Sequence, residues 1–286
     1  MSQFLNKFLN RVKSIYSIIE TLNRIHDRTL HDSWYQQIMQ SQNPLNKAGA
    51  SVFSQADEDG ITFEILKRLE IKNGTFGEFG VGDGSQNNTL ALIACGWKGF
   101  WIGGQPLFFQ CKDNLKKFHF NKQWVDLENI VDLAKSSLRR LDCNSLDLIS
   151  LDLDGNDIYF VEALLENGFS PKVFIVEYNG KFIPPIRFKI TYNPAHVWAG
   201  DDYYGASLAS FCEIFNRYGY SLVCCNAQTG VNAFFVRTEF MDKFSDVPKE
   251  ISQLFCAPRF YQQYKRYAHK PSPRTIECLL SNNEES

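Results

Sequence analysis

"GTFGEFGVGDGSQNNT" (74–89) is the stretch whose reading decides the fold. A short apolar run at 75–79 meets glycines at alternate positions, Gly80, Gly82 and Gly84, and a helix is expected to open near residue 87. Alternating glycines let the chain reverse sharply and let a ligand approach backbone that a Cβ would shield. A strand, a glycine turn and a helix form the opening of a βα unit, with the helix N-terminus facing the ligand. The spacing here is E-x-G-x-G-x-G. A dinucleotide fingerprint is G-x-G-x-x-G, and Ser85 stands where its third glycine falls. The lysine of a phosphate-binding loop is missing as well. Glu78, closing the strand, suits a ligand with an ammonium group better than a diphosphate.

Outward from this loop the pattern alternates. Strands are expected at 98–102, 123–125, 146–151 and 172–177, and helices at 128–141, 158–167 and 207–218. A closing antiparallel hairpin is expected through "NAQTG", with arms 220–225 and 232–237. Strands alternating with helices predict an α/β fold with a doubly wound, mostly parallel sheet. Three segments follow: 1–50, an amphipathic helix over 1–28 plus a linker; 51–269, the α/β domain; and 270–286, a polar tail with two prolines expected to be disordered. In the first helix, Val12, Ile15, Ile19, Leu22 and Ile25 recur at steps of three or four beside Arg11, Lys13 and Arg24. That face suits packing on the main domain, self-association in a homo-oligomer, or contact with a membrane surface.

Composition narrows the partners. The 286 residues carry a formal net charge of −2, 44% apolar and 22% charged residues. Such a balance gives no electrostatic case for nucleic acid. Eight scattered cysteines form no CxxC, and the five histidines stand at no zinc spacing from them. Together with the lack of a long apolar run, this predicts a cytoplasmic protein, at most peripheral to the inner face of the membrane.

"SLDLDGND" (150–157) carries the chemistry. Continued strand periodicity would turn Asp152 and Asp154 to one face at a strand's carboxyl end, where open α/β sheets bind ligands. Glu177 and Asn179 form the same i, i+2 pair at the next strand. Asp152, Asp154, Glu177 and Asn179 are therefore expected as a site for Mg²⁺ or Mn²⁺. Without metal, Asp154 or Glu177 would be a general base and the others would bind hydroxyls; a third reading makes them turn and cap residues. The long segment 179–205 reads as a lid. It carries His196, a candidate base near neutral pH, and Trp198, Tyr203 and Tyr204, suited to stacking on a sugar.

The motifs "SQADEDG" (54–60), "GEFGVGDGSQNNT", "GWKGFWI" (96–102), "LDLISLDLDGND" (146–157), "FIVEYN" (174–179), "YYGASL" (203–208) and "GVNAFFVR" (230–237) resemble, in order, the FkbM-type branch of the class I S-adenosylmethionine-dependent methyltransferases. The resemblance implies a Rossmann-like seven-stranded sheet and methyl transfer from S-adenosylmethionine to an oxygen, with a sugar or glycan acceptor. It puts Glu78, Gly80, Gly82, Ser85, Asn88 and Thr89 at the cofactor, with Gln55 reaching in. Asp126 would meet the adenine, or would instead cap a helix. One departure stands out: the second strand ends "IGGQ" (102–105), with Gly103 and Gly104 where such folds carry a ribose-holding acid. A non-catalytic glycan-binding relative is the alternative this departure leaves open. A dinucleotide-dependent oxidoreductase is disfavoured by both the glycine spacing and the missing acid.

Overall fold

The computed structural model describes residues 2–112, 115–258 and 269–284. The chain divides into two compact units, Met1–Ser41 and Gln42–Ser286.

The first unit is one helix, α1 (Ser2–Gln40). It runs well past residue 28, through a stretch expected to be linker. No proline or glycine interrupts residues 29–40, and the first proline is Pro44. Ile15, Ile19, Leu22 and Ile25 are exposed, whereas Ile38 near the helix's end is buried.

The second unit holds a seven-stranded sheet in the order β3-β2-β1-β4-β5-β7-β6. The strands are β1 (Thr75–Phe79), β2 (Lys98–Gly103), β3 (Phe118–Lys122), β4 (Leu148–Leu151), β5 (Val173–Glu177), β6 (Tyr220–Cys225) and β7 (Asn232–Arg237). The first five pair in parallel, and β7 enters antiparallel between β5 and β6. This is the doubly wound, mostly parallel sheet expected, and its strand order is that of the class I methyltransferase, Rossmann-like fold. Strand order reverses beside β1, and β1 and β4 there open a crevice at their carboxyl ends.

Side-chain alternation explains the two layers of core. Ile149 and Leu151 of β4, with Phe174 and Val176 of β5, face α5 (Ile130–Arg140), α6 (Asp157–Glu166) and α7 (Leu208–Arg217). Leu148, Val173 and Ile175 face the other way, onto α3 (Glu58–Arg68) and α4 (Leu90–Ala94). Strands covered on both faces are apolar almost throughout, which is why β4 and β5 read as near-continuous runs, with Ser150 and the terminal Glu177 the exceptions.

Three expectations shift. The third strand lies at Phe118–Lys122 rather than 123–125. It is the sheet's edge, half-buried with His119, Asn121 and Lys122 among its residues, so its apolar signal is weak. The helix after the glycine loop begins only at Leu90, because 85–89 is spent on turns. The tail is not structureless: after a short α2 (Pro44–Lys47) and α8 (Ile251–Leu254) elsewhere, α9 (Pro273–Glu284) ends the described chain. Pro273 opens this helix, the position at which proline costs nothing.

Candidate functional site

β1 delivers the chain into the glycine loop, and hydrogen bonds fix its course. Gly80 donates to the Ile102 carbonyl at 2.9 Å with φ +87°. A Cβ on Gly80 would lie 1.5 Å from the Asp152 carbonyl oxygen, so only glycine lets this loop seat against the end of β4. Gly82 also has positive φ, but a Cβ there would meet nothing within 4 Å: it faces open space in the crevice. Glu78 anchors the loop from below. Its carboxylate accepts from the amides of Asn88 and Thr89 at 2.9 and 3.2 Å and from the Thr89 hydroxyl. Thr89 Oγ1 accepts from Trp101 Nε1 at 2.8 Å, and Asn88 donates to Ser150 at 3.1 Å. Burial pushes Glu78 up to about 7.

"SQADEDG" works in a similar way. Asp59 accepts from the amides of Val52, Phe53 and Ser54 at 2.7–2.9 Å. Asp57 accepts from Ala227 and Gln228, and Glu58 from the side chains of Asn226 and Asn232. Asp59 thus closes the turn on itself, Asp57 and Glu58 tie it to the β6–β7 hairpin, and Gln55 is the member that reaches the crevice. Burial, then repulsion from Asp57, raises Glu58 to about 7.

Asp152, Asp154 and Glu177 gather across the crevice, with one carboxylate oxygen from each within 4.8 Å of the others. Strand periodicity is not the cause. β4 ends at Leu151, and the chain turns through Asp154 at φ +56°, a conformation aspartate tolerates better than most residues. The Asp157 carboxylate pins that turn, accepting from the amides of Leu153 and Gly155 at 2.7 and 2.8 Å. Burial and then repulsion from their neighbours push Asp152 and Glu177 well above the usual carboxylate range, and the two are hydrogen-bonded to each other. Burial also raises Asp154, against the pull of His196.

One crevice joins these parts. Gln55, Gly80, Gly82, Asp83 and Ser85 line one side, Asp152, Asp154 and Glu177 the other, and Trp198, Tyr204, Val231 and His269 complete the wall. No lysine or arginine lines it among the described residues. Tyr204 is 3% exposed and sits beside Glu177, Asp154 and Asp152, with no hydrogen-bond partner for its hydroxyl among the described residues. A pocket lined by acids, with an unpartnered hydroxyl at its edge, offers the kind of oxygen ligands that a hard cation takes.

Several expected site residues lie elsewhere. Asn179 is fully buried and holds the lid, donating to the carbonyls of Asp202 and Tyr204 at 3.0 Å each. The strand ends at Glu177, so the i, i+2 relation fails, and the Asn179 amide is spent on those two carbonyls. His196 packs behind the Asp154–Gly155 turn: a Cβ on Gly155 would lie 2.3 Å from its Cδ2, and it is not on the crevice wall. Glu78, Asn88 and Thr89 are consumed inside the loop. Asp126 accepts from the amides of Glu128 and Asn129 at 3.0 Å and caps the turn before α5. His269 went unforeseen, because it lies beside a tail expected to be disordered.

No family model and no curated protein sequence matches the chain. Among solved structures it is similar to the glycopeptide N-methyltransferase MtfA complexed with S-adenosyl-L-homocysteine, at 14% identity and TM-score 0.37, over 67% of this chain and 94% of that one. It is similar also to a precorrin-6y C5,15-methyltransferase from Geobacter metallireducens, at 14% and 0.36, over 66% and 91%. A putative hemolysin from Streptococcus thermophilus aligns at 10% and 0.39, over 83% and 79%. At these scores the likeness carries no functional argument, and function is argued from the crevice.

Proposed function

We propose that the chain is an S-adenosylmethionine-dependent O-methyltransferase of the FkbM type, with a sugar or glycan hydroxyl as acceptor and a divalent cation, Mg²⁺ or Mn²⁺, assisting. The observation that carries this reading is the single crevice in which the glycine loop faces three carboxylates. The motif resemblance supports the family.

The residues fit the cofactor at its methionine end. Open space at Gly82 admits the ligand to the backbone, and acids without a lysine or arginine suit a sulfonium and an ammonium. Asp152, Asp154 and Glu177 would hold the cation, with the Tyr204 hydroxyl as a further oxygen. S-adenosylmethionine, when bound, supplies an electrophilic methyl group, and the cation supplies polarisation of the acceptor hydroxyl. Transfer is an in-line displacement in which an oxygen–carbon bond forms as the carbon–sulfur bond breaks, so alignment is the protein's main task. Trp198 and Tyr204 offer ring faces to a sugar. Without the cation, Asp154, at the rim of the group, would instead accept the hydroxyl proton.

A second reading rests on one observation, the Gly103–Gly104 end of β2, where no acid waits for a ribose. On that reading the chain binds glycans on a methyltransferase fold without the cofactor. Incubation with methyl-labelled S-adenosylmethionine and a panel of glycans separates the two. Label transferred to an acceptor, and lost in Asp154→Asn, supports the enzyme; glycan binding without cofactor binding supports the relative.

A further inference from the structure

The tail expected to be disordered is instead bound against the lid. Asp202, 1% exposed, lies in the lid between Trp198 and Tyr204. One carboxylate oxygen accepts from the Ser272 amide at 2.7 Å and the Thr275 hydroxyl at 2.8 Å, at the start of α9. The other pairs with Lys181 Nζ at 2.5 Å, and Lys181 also donates to the His269 carbonyl at 3.0 Å. The Asp202 amide donates to the Lys270 carbonyl at 3.2 Å. Burial alone would raise Asp202, but the bonds from Lys181, Thr275 and Ser272 win and hold it below the ordinary value. A carboxylate at a helix N-terminus meets unsatisfied amides and the positive end of the dipole. Further along, Arg274 stands 4.0 Å over the Tyr203 ring, and Cys278 and Leu279 pack on the lid cluster of Phe182, Phe188, Ile190 and Tyr203.

These bonds have a consequence at the crevice. The His269 ring stands edge-on to Trp198 at 5.0 Å and to Tyr204 at 5.6 Å, and it forms part of the wall shared with the carboxylates. We propose that residues 269–284 are a strap, latched to the lid by Asp202, that completes the ligand site by holding His269 in its wall. His269 is then a positioning and specificity residue: with Trp198 and Tyr204 it forms a continuous ring surface that holds the occupant against the acids. The ligand side of this proposal rests on the methyltransferase reading; the latch does not.

The test uses the full chain as wild type, Thr275→Val, Asp202→Asn and His269→Ala. Amide hydrogen exchange is followed in peptides covering 198–204 and 269–284, and S-adenosylhomocysteine is the binding probe. Thr275→Val removes one latch bond at the strap and leaves the sheet untouched. The strap predicts that it and Asp202→Asn speed exchange in both segments together, by about tenfold, with β1, β4 and β5 unchanged. His269→Ala is expected to leave exchange in 273–284 near wild type while weakening the probe about tenfold. Exchange in 198–204 that ignores release of 269–284 overturns the latch. Wild-type probe affinity in His269→Ala overturns the wall. If wild type itself binds no probe, the methyltransferase reading falls, and the exchange coupling alone decides the strap.

Discussion

The two sides of the crevice are built on different terms. At the tips of β1, β4 and β5, a glycine loop opens to the ligand and three acids converge. At the tips of β2 and β3 there is no counterpart among the described residues. β2 ends in Gly103–Gly104, and the segment after it folds back onto the glycine loop: Phe108 donates to the Asp83 carbonyl at 2.9 Å, and Leu107 packs at Gly84. Trp124, beside Gly104, donates to the Pro194 carbonyl at 2.8 Å, and Asp126 is spent on a cap. Under the proposed function the contrast separates the two ends of the methyl donor: the acids gather where its cationic end would lie, and the tip of β2 lacks the acid that would hold its ribose.

The largest expected effect comes from breaking the built side. Gly80→Ala puts a methyl group into the Asp152 carbonyl at a positive φ, so the loop must leave its seat against β4. A loss of about 3–5 kcal/mol of stability is expected, read by denaturant unfolding. Gly82→Ala, with the same sign of φ and open space around it, should cost only about 1–2 kcal/mol. Equal costs at the two positions would mean the close approach at Gly80 does not matter.

Next in size is the carboxylate group itself. Asp154→Asn keeps a residue that tolerates positive φ and removes one charge from the cluster. Mn²⁺ affinity, measured by calorimetry, is expected to fall about a hundredfold with the fold intact. Unchanged Mn²⁺ binding would move the cation away from these residues.

Proton linkage tests the same group without a mutation. Asp152 and Glu177 are raised in the folded chain, so folded protein binds more protons than unfolded protein above about pH 4. Their contribution to stability is fully present below the unfolded value and is lost as pH rises through the folded one. The slope reaches about 1.4 kcal/mol per pH unit for one proton. Thermal unfolding between pH 5 and pH 8 (about the working range) should show this decline, to which Glu78 and Glu58 add because burial raises them to about 7, and Asp152→Asn should lessen it. Mn²⁺ should restore stability at the alkaline end and release protons as it binds.

How much of this was legible depended on whether a signal was local. The hairpin arms Tyr220–Cys225 and Asn232–Arg237 read correctly to the residue, because a polar turn separates two apolar runs. β4 and β5 read well because burial on both faces leaves nearly all of their residues apolar, Ser150 and the terminal Glu177 apart. β3 did not, because an edge strand satisfies only half of that demand. In the site, Asp152, Asp154 and Glu177 were found, although a pinned turn brings them together rather than strand periodicity. Asn179, Glu78 and Asp126 were polar groups beside the crevice in sequence but are satisfied by backbone in space, and sequence spacing does not say which way an amide or carboxylate is spent. His269 and the strap depend on Asp202, 67 residues before the histidine in the chain, and no local pattern marks such a pairing.

The smallest effect would sharpen the contrast by repairing the poor side. Gly104→Glu restores an acid after β2 at a place where a Cβ meets only the Trp124 ring, at 3.3 Å. S-adenosylhomocysteine should then bind up to about tenfold tighter, the worth of one charged hydrogen bond to a ribose. No gain would mean that the folded-back segment, not the missing acid, limits that end.

The central claim is that the crevice between Gly80–Gly82 and the three carboxylates binds the cationic end of the methyl donor. Calorimetric titration with S-adenosylhomocysteine, with and without Mn²⁺, on wild type and Asp154→Asn tests it most directly. The account predicts saturable binding to wild type, and Mn²⁺ binding that the variant loses. No heat from either ligand under any of these conditions would contradict it.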